Sequence, residues 1–210
     1  MTDIWPWLTF AGLGAFHGLN PAMGWLFAVA LALHRQSRAA VMVSLVPIVL
    51  GHAVSIVAVT GLLMLAGALV PDNLVRVGAG MILLGWAAWH WCLGRRHRVR
   101  FGMLVGFGGL AAWSFLMATA HGAGLMLWPV LMPACLAGGS EAAAYAGPAT
   151  AMFVGVGIHT LAMAATAALV AIIMHDWLGL AVLRRAWLNL DLLWVCALAA
   201  TGALLIAGAR

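Results

Sequence analysis

Four histidines stand in the middle of apolar runs and not at their ends: His17, His52, His121 and His159. A strongly polar side chain in lipid is costly unless it faces a protein interior or a wet cavity, which makes each a candidate for function. Neutral imidazole suits Ni, Co, Cu, Zn or Fe, and several imidazoles from different segments can replace the water shell of such an ion. A carried ion must also leave, so an incomplete or uneven ligand set is expected. Asn20, Ser55 and Thr160 could add oxygen ligands, and Met23 and Met126 could add thioether sulfur, although a lone methionine is more often a gap filler. The structural alternative for the histidines is hydrogen bonding between helices, worth about 0.5–2 kcal/mol apiece.

The four histidines form two pairs with related surroundings. Phe16-His17-Gly18-Leu19-Asn20-Pro21-Ala22-Met23-Gly24-Trp25 has a counterpart in Ala120-His121-Gly122-Ala123-Gly124-Leu125-Met126-Leu127-Trp128-Pro129: His-Gly, then Met, Trp and Pro within a few residues. Gly51-His52-Ala53-Val54-Ser55 likewise resembles Gly157-Ile158-His159-Thr160, and the separation of His17 from His121 nearly equals that of His52 from His159. This is the mark of a duplication. Pro21, and Pro129 with Pro133, remove helical hydrogen bonds beside the His-Gly positions, so a broken helix is expected at each. Pro47 is expected to bend the segment carrying His52. Gly14-x-x-x-Gly18 and Gly102-x-x-x-Gly106 fit close helix packing.

The remaining polar residues read differently. His34, His90, His97 and His175 lie near the ends of apolar runs beside arginines, as interfacial residues do. Cys92, Cys135 and Cys196 are widely spaced with no Cys-x-x-Cys pair and read as small buried hydrophobes. Only Asp3, Asp72, Glu141, Asp176 and Asp191 are acidic, which leaves little for general acid–base work and argues against an enzyme; Asp191, inside the last apolar run, is a minor site candidate. Trp5, Trp7, Trp86, Trp89, Trp91, Trp187 and Trp194 read mostly as interfacial anchors.

The elements that must position these groups are transmembrane helices. The chain is 66% hydrophobic and 7% charged, with a mean hydropathy of +1.10, far from the ~45–50% apolar and ~25% charged of a soluble domain. Apolar runs cover Trp5–Leu33, Ala39–Leu69, Leu74–Leu93, Phe101–Ala137, Ala146–Met174 and Trp187–Ala207. The fourth reads as one broken or re-entrant segment. With the N-terminus outside, all of the ten arginines except Arg76 and Arg210 fall in cytoplasmic loops, as the positive-inside rule requires. The expected architecture is all-α and polytopic: one transmembrane domain over residues 1–210, about six spans, in two inverted three-helix repeats (about 5–94 and 101–208) with broken helices near the midplane. A bacterial cytoplasmic membrane with both termini outside is the expected location. The net charge of +5 belongs to orienting arginines and not to nucleic-acid binding.

The His-Gly-x-x-Pro segment at His17, followed after an arginine-bearing loop by Gly-His-x-x-Ser at His52, resembles the nickel/cobalt and sulfite exporter-like branches of the LysE-type transporter superfamily. The resemblance implies a six- or seven-helix inverted-repeat transporter with His17, His52 and Asn20 at the metal-handling positions. It covers motif islands in about half the chain; Asn20 stands nearest the place where nickel/cobalt permeases carry an acidic residue, and there is no histidine-rich loop. The expected function is a small secondary transporter or permease for a transition-metal cation, with His17, His52, His121 and His159 as ligands. The alternatives are a haem- or metal-binding subunit of a larger membrane complex, in which paired histidines ligate haem iron, and a transporter of an organic solute or anion. The expected partners are lipid, a small ion or solute, and a second copy or membrane subunit.

Overall fold

A computed structural model describes residues 4–93, 106–136, 141–178 and 190–209, and among these every regular element is helical. The helices are α1 (Trp5–Leu19), α2 (Trp25–Arg35), α3 (Arg38–Leu69), α4 (Asp72–Leu93), α5 (Phe107–Ala120), α6 (Ala123–Leu136), α7 (Glu141–Ile173) and α8 (Leu190–Ala207). A 3-10 turn, Pro21–Met23, joins α1 to α2, and a π turn, Met174–Leu178, extends α7. His97 and Gly102 lie outside the described residues.

Both expected breaks are present, each beside its histidine. At the first, Pro21 forces Asn20 into an extended conformation (φ −72°, ψ 118°), which ends α1. Asn20 Oδ1 then accepts from Ala22 N at 2.9 Å, and Gly24 at φ 115° redirects the chain into α2. Replacing Asn20 by alanine is expected to lower stability by about 1 kcal/mol, read from detergent unfolding curves. At the second break the chain bends by 56° between α5 and α6, with Gly122 at φ 70°. Pro129 and Pro133 lie within α6 and do not make the break. Their local pattern could not reveal that a positive-φ glycine had already turned the chain upstream. Pro47 sits inside α3, which runs through it as one helix.

Two helical stretches, Arg38–Leu69 and Ala149–Trp177, are each long and apolar enough to cross a membrane, and the bent α5–α6 pair makes a third if it counts as one span. The most extensive packing joins α1 to α7, α3 to α5 and α4 to α8. The bundle's surface is strongly apolar, and several polar side chains are gathered within its largely apolar interior. Leu161, Leu204, Leu62 and Phe153 are more than half exposed, whereas His17, His52, Ser55 and His159 have no exposed surface. An apolar exterior suits a hydrocarbon solvent, where a water-soluble bundle would present polar side chains.

Cys92 and Cys196 are free thiols on the exposed surface, not in the core. A sulfhydryl is apolar enough to face lipid, so the small-hydrophobe character holds while the burial does not. At one end of the bundle, Arg38 on the first turn of α3 meets Asp176 at 3.1 Å, and His175 Nδ1 lies 2.7 Å from the same carboxylate. His34 is exposed, as expected of a span end.

Candidate functional site

Three helices, α1, α3 and α7, bring three of the expected histidines into mutual ring contact, with the fourth one aromatic ring away. α3 and α7 cross the interior and carry His52 and His159 near their middles. The two imidazole rings are parallel (interplanar angle 5°), and their Nε2 atoms lie 3.3 Å apart. α1 delivers His17 against both, with ring centroids 5.6 Å from His52 and 4.9 Å from His159. That approach depends on Gly14, where an added Cβ would run into the His159 carbonyl, and Gly18 also faces α7. The packing expected of Gly14-x-x-x-Gly18 is therefore present, against α7.

His17 and His121 are held in the same way. Each turns Nδ1 back to the carbonyl one helical turn earlier, His17 to Leu13 and His121 to Met117, both at 2.8 Å. A carbonyl can only accept, so Nδ1 carries the proton in each ring, and the neutral tautomer presents Nε2 as a lone pair. Fixing one ring nitrogen on a carbonyl is how proteins orient a metal-binding histidine. His17 Nε2 is buried and, among the described residues, has no hydrogen-bond partner. His52 and His159 are tied together differently: in an Nε2···Nε2 hydrogen bond one ring donates and the other accepts.

The expected oxygen and sulfur ligands are placed less directly. Asn20 spends Oδ1 on the first break. Ser55 is fully buried and shares a 2.8 Å hydrogen bond with Thr119. Thr160 is buried beside His159, its hydroxyl without a partner among the described residues. Met23 and Met126 are almost wholly buried, Met126 in an apolar cluster with Trp128, Trp194 and Leu198. The Asp191 side chain lies outside those described.

Sequence reasoning passed over Trp194 and His90. Trp194 is 3% exposed and not an interfacial anchor. Its ring stacks on Phe16 (5.2 Å, 3°) and meets both His17 (4.7 Å) and His121 (5.0 Å) edge-on. His90 is partly buried, with its ring 5.6 Å from that of His121. Four residues beyond the start of α8 nothing in the local sequence distinguishes a core indole from an interfacial one, because the distinction lies in which face of α8 packs on α4.

Among the described residues no group of three or more His, Cys, Asp or Glu side chains is set to hold a metal ion. The rings of His17, His52 and His159 meet, but they do not form a finished ligand cage. No family model matches the chain, and no curated protein or solved structure shows significant similarity to it.

Proposed function

We propose that this chain is a small membrane transporter for a transition-metal cation, built as two inverted three-helix repeats spanning the bilayer about six times. The observation that carries the reading is the 3.3 Å separation of His52 Nε2 and His159 Nε2, with the unpartnered Nε2 of His17 on the adjoining ring. Two imidazole nitrogens bound at about 2.0–2.1 Å to a tetrahedral ion lie about 3.3–3.4 Å apart. The pair thus has the spacing of two ligands, and the unpartnered Nε2 of His17 on the adjoining ring is the candidate third. An unfinished cage suits a carrier, since an ion held by a complete one is slow to leave.

The repeat is supported by the packing. A two-fold operation that exchanges α1 with α5, α3 with α7 and α4 with α8 maps the α1–α7 contact onto the α3–α5 contact and the α4–α8 contact onto itself. It also exchanges His17 with His121 and His52 with His159, and the first of those pairs shares its carbonyl hydrogen bond. Sites at such an axis are typical of inverted-repeat transporters. The likeness of the His-Gly-x-x-Pro and Gly-His-x-x-Ser segments to nickel/cobalt permeases points the same way.

Movement of a proton follows from the hydrogen bond. For both Nε2 atoms to ligate, the donor ring must shift its proton to Nδ1 or release it, so cation binding moves a proton within or out of the pair. The test is Co²⁺ loading of detergent-purified protein, followed by visible absorption and elemental analysis. A histidine-dependent Co²⁺ spectrum supports the reading. A Soret band would assign the histidines to haem, and no metal uptake from Ni²⁺, Co²⁺, Cu²⁺ or Zn²⁺ would overturn it.

A further inference from the structure

The rings around the central cluster form a file that leads out of it. His90 lies three residues before the end of α4, on the side where the sequence continues into Arg95, Arg96, Arg98 and Arg100. Its ring is 5.6 Å from His121; the His121 ring is 5.0 Å from Trp194; Trp194 is 4.7 Å from His17; and His17 reaches the His52–His159 pair. Each neighbour in this series is an imidazole except one. Trp194 stands between the two histidine groups, in ring contact with both, and its indole Nε1 is buried without a hydrogen-bond partner among the described residues. A buried N–H left without an acceptor is costly, and structures tolerate one where the position does something that a fully satisfied residue could not.

The geometry points to Trp194 as a gate between two histidine stations: an outer one formed by His90 and His121, and the inner cluster of His17, His52 and His159. An indole cannot ligate a cation through its N–H, so it interrupts the series of ligands. Its broad face, stacked on Phe16, sets apolar surface between the two histidine groups. Transfer between stations requires the ring to turn away, which opens His17 toward His121. His90, which sequence reasoning placed at the interface, becomes the first station reached from that end of α4. The occupant of the stations is the transition-metal cation of the reading above, on which the gate's purpose rests. The gate as a barrier to His17 does not depend on that reading.

Two readouts separate these claims. The first is carbethoxylation of individual histidines by diethyl pyrocarbonate, followed by mass spectrometry on the full chain in detergent. In the wild type His90 and His121 are expected to react well before His17. Trp194→Leu is expected to speed modification of His17 about tenfold, while Trp194→Phe, which keeps a ring in place, stays near wild type. Unchanged His17 reactivity in Trp194→Leu overturns the gate. So does an equal rise at His17, His52 and His159 with a lowered unfolding midpoint, because that is general loosening. The second readout is the rate at which Co²⁺ develops its cluster spectrum: faster in Trp194→Leu, slower in His90→Ala and His121→Ala. If wild type shows no histidine-dependent Co²⁺ spectrum, the metal reading fails and the modification pattern alone decides the gate.

Discussion

Replacing His52 or His159 by alanine is expected to lower Co²⁺ affinity by about a hundredfold or more, a larger loss than the 10–100-fold typical of removing a residue that only supports a ligand. The two rings act as one unit through their 3.3 Å contact. The double variant should therefore bind hardly less well than either single one, because the first substitution already removes the shared site. Each single substitution also strands the other ring's buried Nε2, at a cost of about 1–3 kcal/mol. Stability and binding must then be separated. Thermal unfolding with and without Co²⁺ does so: bound cation raises the wild-type midpoint by mass action, and the variants should show a lower midpoint that no longer responds to Co²⁺. Histidines that serve only as an interhelical bond would give the lowered midpoint with no Co²⁺ response in either protein. His17→Ala is expected to weaken binding less than His52→Ala, since His17 joins a pair whose spacing is already set.

Gly14→Ala is the second large effect, and it acts through a single methyl group. The added Cβ meets the carbonyl of His159, a backbone atom of a long packed helix that cannot swing aside. α1 must then move off α7, at a cost of about 1–3 kcal/mol, and His17 moves with it. Unfolding in a denaturing detergent series should show the loss, and Co²⁺ binding should fall in the same variant. Gly12 is the internal control. It lies on the same helix with open space where its Cβ would sit, so Gly12→Ala is expected to be neutral or stabilising by about 0.5–1 kcal/mol. Equal effects at Gly12 and Gly14 would show that the close approach of α1 to α7 is not what holds His17 in the cluster.

Much of this was legible in the residues, for identifiable reasons. Polar groups within apolar runs have few places to go, so His17, His52 and His159 could be assigned to the interior from position alone. The break after His17 was legible because Asn20-Pro21 restricts two consecutive residues by local sterics. The second break was placed correctly beside His121 but for the wrong cause: Pro129 and Pro133 lie inside α6, which continues through them, while Gly122 turned the chain. The burial of Trp194 and the approach of His90 to His121 depend on how α4 and α8 are rotated against each other, with Gly80 and Gly202 in close contact where they cross. No window of sequence within either helix carries that information. The surface position of Cys92 and Cys196 was hidden for the same reason.

The three intimate helix pairs also divide the imidazoles among themselves. His17 and His159 ride on α1 with α7, His52 and His121 on α3 with α5, and His90 with Trp194 on α4 with α8. Packed interfaces resist gradual deformation, so any relative displacement is expected between the pairs and not within them. A small displacement of the first pair against the second parts the His52–His159 contact without disturbing any residue within either pair. The His52–His159 contact thus lies on a seam between two helix pairs, and parting it needs no change inside either pair.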